Sequence, residues 1–185
     1  MIKGALVDVL KEADLLVLAA PLTPLLPGEL TALDDFLERG GALLALVEPS
    51  ASGDLDVRAP GRGIELARAW WWIRRPGSAT GFLDDTPILR TYEPHPITDP
   101  IRGLQTLYPR ARPVMPTIGS PYTATLLRTS DASWAEVDPL AEPPYRLDSE
   151  DEPGPVPIAV AHDEGTAGPA NQRLDQTRIV VFGRC

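Results

Sequence analysis

Two histidines and one cysteine are the residues whose chemistry would be simplest to recognise in this chain of 185 residues. His95 and His162 are far apart in the sequence, and neither has a second His or a Cys at the spacing of a metal site. Cys185 is the only cysteine, so an internal disulfide or a cysteine cluster cannot form within the chain. The sequence therefore predicts no metal site and no catalytic residue among these three.

Polar residues that follow apolar runs are the next candidates for a ligand site. Thr23 follows the run Leu15–Ala20, and Glu48 and Ser50 follow the run Ala42–Val47. In open α/β sheets, ligands bind outside the carboxyl ends of the strands. Glu48 could bind a hydroxyl, a metal or a partner's base, although a capping or loop hydrogen bond is the more common role for such a carboxylate. Ser50 lacks the flanking glycines of a nucleophile elbow, which disfavours a serine hydrolase.

Aromatic and imidazole side chains supply two further candidates. Trp70, Trp71 and Trp72 are consecutive and could form a stacking surface for a sugar or a partner chain, while packing of the element on both sides is an equally good interpretation. His95 stands between two prolines, where a structural hydrogen bond is more common than a role as general base. An enzyme of unknown substrate that uses Glu48, Ser50 and His95 stays an alternative.

The elements that must position these residues begin with a strand, a helix and a second strand. The runs Leu15–Ala20 and Ala42–Val47 are continuously apolar, which is typical of central parallel strands buried on both faces. Between them, apolar residues recur at helical spacing from Leu30 to Leu37, and Gly40 and Gly41 end that helix. Such a unit forms a right-handed crossover. The residues from 7 to 13 are predicted to be the tail of a preceding helix.

The remainder of the chain is richer in loops, because most of its 21 prolines lie after Thr86. A second helix is predicted over Ile64–Ile73, and a helix start at Asp99 with that residue as the cap. Candidate strands are Ala111–Met115, Thr123–Arg128, Pro157–Ala161 and Arg178–Phe182, of which the last is apolar enough to be central.

These elements predict one α/β domain over residues 1–185. Its Rossmann-like or flavodoxin-like sheet would be mostly parallel and flanked by helices, with a loop-rich, partly antiparallel C-terminal half.

Composition and charge exclude several classes of function. The net charge of −9 repels phosphate backbones and anionic lipids, so we expect no nucleic-acid partner. No run approaches the roughly 20 apolar residues of a membrane span. The loop after the first strand contains Pro21, Pro24 and Pro27, which cannot offer the backbone amides that a phosphate needs. We therefore expect no nucleotide and no cofactor.

Several segments in order resemble the auxiliary component of ABC-type transport systems associated with gliding motility. The soluble domain of that family is related to intraflagellar-transport-type sugar-binding-like domains and to the glutamine amidotransferase fold. The resemblance rests on the stretches Ala13–Pro21, Leu37–Pro49, Tyr92–Thr98, Tyr108–Pro113, Leu126–Ser130, Ser133–Glu136 and Arg178–Gly183. The family's first strand and its membrane helix have no counterpart here, which implies a part of a longer membrane-associated protein with an open sheet edge.

The resemblance implies a non-catalytic accessory domain that binds protein or glycan. The implied partners are the permease and ATPase subunits of an ABC transporter, with a glycan or a second copy as further possibilities. The domain would be extracytoplasmic and would meet the membrane only through segments absent from this chain. A purely structural oligomerisation module is the third alternative.

Overall fold

The structure is a computed structural model that describes residues 5–19, 23, 25–47, 64–66, 72–74, 86–90, 92–117, 119–138, 146–164 and 177–183. Of residues 65, 66 and 72–74 only the backbone is described. The helices are α1 (Ala5–Leu10) and α2 (Pro27–Glu38), with a 3₁₀ turn at Asp99–Ile101. The strands are β1 (Leu15–Ala19), β2 (Ala42–Val47), β3 (Ile64–Leu66), β4 (Trp72–Arg74), β5 (Ile88–Leu89), β6 (Thr106–Leu107), β7 (Val114–Pro116), β8 (Thr123–Arg128), β9 (Trp134–Glu136), β10 (Glu152–Pro153), β11 (Pro157–Asp163) and β12 (Arg178–Gly183).

The predicted strand-helix-strand unit is confirmed. β1 pairs in parallel with β2, from Leu15 opposite Ala42 to Ala19 opposite Leu46, and α2 connects them. Gly40 ends α2 with φ of 88°, a conformation that a residue with a Cβ rarely adopts. The chain can then turn directly into β2.

The main sheet has the order β1-β2-β12-β11-β8 among the described strands. β2 lies between β1 and β12 and is parallel to both, whereas β11 is antiparallel to both β12 and β8. The α/β class and the partly antiparallel C-terminal half are therefore confirmed. The expectation of a mostly parallel sheet is wrong for the described strands, because two of their four pairings in this sheet are parallel and two are antiparallel. β12 is the middle strand, as its apolar sequence predicts.

Two hydrophobic clusters cover the two faces of this sheet. The first joins Leu10 of α1 and Phe36 of α2 to alternate residues of β2 and β12. The second lies on the other face and contains Leu89, Leu127 and Ile158, with Val180 and Phe182 of β12 packed against it. Because β12 contributes neighbouring residues to opposite faces, it belongs to both clusters.

The predicted helix over Ile64–Ile73 is wrong, because strands occur in this segment. β3 pairs with β7, and β4 pairs with β9, both in antiparallel register. Ile64 is buried in the first cluster. The helical spacing of the apolar residues was a weak signal, and pairing with strands distant in sequence overrides it.

Two smaller expectations also need correction. Thr98 precedes the 3₁₀ turn, and Asp99 is the first residue of that turn instead of its cap. The Asp99 carboxylate pairs with Arg102 at 2.8 Å. β1 is the edge of the described sheet, in agreement with the open edge that the resemblance implies. Its unbroken apolar sequence had predicted a central strand buried on both faces, and that prediction is wrong because Leu15 and Val17 are exposed. Among the described residues, no helix is long and apolar enough to cross a membrane.

Candidate functional site

The unpaired edge of β1 is the feature of the described sheet that is best suited to binding. β2 occupies one side of β1, and no described strand pairs with the other. An edge strand presents backbone N–H and C=O groups that can pair with another chain. Natural proteins often protect such an edge with a charged residue or a proline, but β1 has the sequence Leu-Leu-Val-Leu-Ala.

One face of β1 is apolar and open. Leu15 and Val17 are 57% and 51% exposed, although both are large aliphatic residues. On the same face, β2 places the half-buried Leu44 and Leu46 beside Val17 and Ala19. The second hydrophobic cluster covers this face only further along the sheet, where it contacts β12, β11 and β8. A partner strand added to β1 would therefore bury apolar surface as well as pair with the backbone.

The chain entering β1 carries exposed acidic groups. Asp8, Glu12 and Asp14 are all exposed, and the one nearby cation in this segment, Lys11, pairs with Asp8 at 2.8 Å. The hydrogen bond and charge of Lys11 lower the pKa of Asp8. Asp14 adjoins Leu15 directly, so a basic residue at the end of a partner strand would meet a negative charge there.

Most of the predicted site residues fall outside the described part of the chain. These are Glu48 and Ser50 of the strand-end site, and Trp70 and Trp71 of the predicted stacking surface; the third tryptophan, Trp72, is described only as the first residue of β4. Thr23 is exposed in the connection that follows β1.

His95 lies in a turn that is attached to the opposite edge of the sheet. Tyr92 forms a β-bridge with Leu127 of β8. The His95 Nδ1 accepts the backbone N–H of Ile97 at 3.2 Å, and its carbonyl oxygen accepts the N–H of Thr98 at 2.9 Å. β8 lies three strands from β2 and four from β1, or about 14 and 19 Å at the usual strand spacing. The observed contacts of His95 are those of a residue that shapes a turn.

The structure also forms a partly buried chain of polar groups around His162 that sequence spacing could not indicate. The His162 Nδ1 lies 3.0 Å from the Thr123 hydroxyl, which lies 2.8 Å from the Ser120 hydroxyl. The His162 Nε2 is 3.1 Å from a carboxylate oxygen of Glu164, but it makes no aligned hydrogen bond. These groups have the order of a catalytic triad. With 2% of His162 exposed, however, no substrate can reach the imidazole, and the contacts link β8 to β11.

A second polar group missed by sequence analysis is a pair of buried carboxyls. Glu136 in β9 and Asp151 before β10 are 4% and 8% exposed. Glu136 is one of several polar residues that follow β8 in the sequence, but no spacing rule connects it to Asp151. Their proximity depends on the antiparallel pairing of β9 with β10, which sets Glu152 opposite Ala135.

Comparison with known proteins finds no matching family model and no matching curated sequence. Among solved structures, the chain is similar to one described as the mmIFT52 N-terminal domain, with a TM-score of 0.67 and 15% sequence identity. The likeness covers 97% of this chain and 69% of that chain. At this identity the likeness shows the fold alone, so function must be argued from the site.

Proposed function

We propose that this chain is a non-catalytic scaffold domain that binds a partner protein by strand addition at β1. The observation that carries the proposal is the edge of β1 with which no described strand pairs, with Leu15 and Val17 exposed beside it. Backbone pairing would supply affinity, and pockets for alternate side chains of the added strand would supply specificity. The apolar face fits an aliphatic partner strand, and Asp14 favours a basic residue at its end.

The partner that we propose is a permease subunit of an ABC-type transport system, because an extracytoplasmic domain cannot reach the cytoplasmic ATPase subunits. This part is supported by the ordered sequence resemblance, which also suggests an extracytoplasmic domain of a membrane-associated parent protein. We also propose that the parallel part of the sheet, formed by β1, β2 and β12, is related to Rossmann-like and amidotransferase-type sheets. The likeness to the mmIFT52 N-terminal domain concerns the fold and does not bear on transport.

The test compares two lysine substitutions at residues of similar exposure. Val17→Lys places a charge in the edge strand, whereas Leu107→Lys places it in β6, where the side chain is 58% exposed. Both variants should unfold within about 0.5 kcal/mol of the parent, because neither position is buried. We expect Val17→Lys to weaken binding to a purified permease subunit of an ABC-type transport system from the same organism at least tenfold, about 1.4 kcal/mol. Leu107→Lys should bind like the parent.

Three outcomes would contradict this proposal. Equal binding by both variants would show that β1 is not the interface. Concentration-dependent self-association that Val17→Lys abolishes would identify a second copy as the occupant. Hydrolytic or amidotransfer turnover that disappears in Glu48→Gln or His95→Gln would favour the enzyme instead.

A further inference from the structure

The buried carboxyls of Glu136 and Asp151 lie at the small sheet formed by β10, β9 and β4. Both side chains are more than nine-tenths buried, and so is the neighbouring Trp134. Ionised carboxylates are costly to bury unless a cation or several hydrogen bonds compensate for the lost water. Among the described residues, no ion pair reaches either carboxyl.

Of the two carboxyls, Asp151 accepts more hydrogen bonds from the backbone. Asp151 Oδ1 accepts the N–H of Val137 at 3.2 Å, and Oδ2 accepts the N–H of Asp148 at 3.0 Å. Glu136 accepts the N–H of Asp138 at 3.1 Å and a longer bond of 3.4 Å from the indole of Trp134. Asp151 thus fastens both the residue after β9 and the segment 146–151.

Glu136 and Asp151 are neighbours across two strands, because β10 sets Glu152 opposite Ala135 and these two residues come next in that register. A hydrogen bond between two carboxyls needs a proton on one of them. Burial is the largest influence on Glu136 and raises its pKa; the N–H groups of Asp138 and Trp134 lower it, and Asp151 raises it again. Glu136 is therefore the group that holds the proton.

Most charged residues on the adjoining described segments are acidic. Asp138, Asp148, Glu150 and Glu152 are exposed acidic residues on the adjoining segments, and the exposed Arg146 is a basic residue on the segment 146–151. β4 places Arg74 opposite Trp134 in the backbone register.

We propose that Glu136, protonated beside Asp151, forms a latch with it that fastens the segment 146–151 to β9 and loosens when Glu136 ionises. The latch lies on the sheet of β10, β9 and β4, whereas the proposed binding edge belongs to the sheet of β1. The latch therefore does not depend on the proposed partner.

The direction of the pH effect follows from proton linkage. A carboxyl with a raised pKa binds more protons in the folded state than in the open state, so the latch is fully closed below the ordinary glutamate range. It weakens as the pH rises from that range through the higher pKa of Glu136 in the folded protein. Over this window the opening constant should rise with pH, by at most about tenfold per pH unit for one proton.

Amide hydrogen exchange in the full chain tests the latch. Protection factors of Val137 and Asp148, corrected for the intrinsic pH dependence of exchange, would be measured from about pH 4 to about pH 8. We expect both factors to fall as the pH rises. The amide of Thr129, which bonds to the Val156 carbonyl at 2.9 Å outside the latch, should keep a constant protection factor.

Glu136→Gln has an amide N–H that can donate to Asp151 and one oxygen that can accept the N–H of Asp138; it gives up the long bond from Trp134, and it cannot ionise. Its protection factors at Val137 and Asp148 should be independent of pH, whereas the exposed control Glu150→Gln should behave like the parent. A decline in Glu136→Gln equal to that of the parent would overturn the proposal. So would a flat profile in the parent, or a carboxyl titration of Glu136, followed by NMR in the parent, at or below the ordinary glutamate range.

Discussion

Gly183 ends β12 at a place where no side chain fits. A Cβ at this position would lie 1.7 Å from the carbonyl oxygen of Arg112 and 2.6 Å from its carbonyl carbon. Both are backbone atoms that cannot rotate away, so one strand would have to move. We expect Gly183→Ala to lower the free energy of unfolding by about 3 kcal/mol or more, measured by urea denaturation.

Gly28 in α2 is the matched control for that substitution, because a Cβ there would meet nothing within 4 Å. Gly28→Ala should leave stability unchanged or raise it by up to about 1 kcal/mol. If Gly183→Ala proved as stable as Gly28→Ala, the close approach of β12 to Arg112 would be wrong.

Thr129 is a buried hydroxyl that joins the end of β8 to the start of β11. Its Oγ1 accepts the N–H of Val156 at 2.8 Å and the hydroxyl of Ser133 at 2.6 Å. Thr129→Val keeps the shape but removes the acceptor, which leaves a buried N–H without its partner. We expect a loss of about 1–3 kcal/mol in the free energy of unfolding. Ser130→Ala, at an exposed neighbour, should change it by less than about 0.5 kcal/mol.

At the scale of elements, one side-chain bond fixes the end of α2 to the start of the central strand. The buried Thr177 hydroxyl donates to the carbonyl of Leu37 at 2.7 Å. Thr177→Val should therefore destabilise the protein by about 1 kcal/mol and speed exchange of the Gly40 and Gly41 amides at the helix end. Thr31→Val, at an exposed position of α2, should not change exchange at those amides. Equal effects of the two variants would show that Thr177 does not couple the elements.

Elements differ in how much of their structure their own residues determine. The residues of α2 carry both the apolar spacing of a helix and its terminating glycine, so its prediction succeeded. β3 and β4 are three residues each, and they depend on β7 and β9, which lie far along the chain. A strand of three residues forms its ladder hydrogen bonds only with its partner strand. The spacing of its own apolar residues is therefore a poor guide to its secondary structure.

For the whole molecule, β12 makes the two hydrophobic clusters interdependent. Val181 is fully buried in the first cluster, while its neighbours Val180 and Phe182 pack against the second. We predict one cooperative unfolding transition for the chain, as expected for a single domain. Val181→Asp should abolish it, because a charge would be buried without a partner in the middle strand.

The control for that substitution is Arg178→Asp, at an exposed position of the same strand. It should retain the transition seen by far-ultraviolet circular dichroism and by tryptophan fluorescence. Val181→Asp could keep a transition by circular dichroism and lose it by tryptophan fluorescence, or the reverse. In either case the two clusters would be separate folding units, and the single-domain prediction would be wrong.

The sequence by itself determined the α/β class, the crossover unit from β1 to β2 and the central character of β12. These follow from local patterns: apolar runs, helical spacing and helix-ending glycines. Only the tertiary structure decided that β1 is an edge of the described sheet, that β3 and β4 are strands, and that Glu136 meets Asp151. The reason is physical. An apolar run shows that a strand can be buried, but which of its sides has a neighbour depends on strands over a hundred residues away, and contacts between distant side chains leave no periodic signal in the sequence.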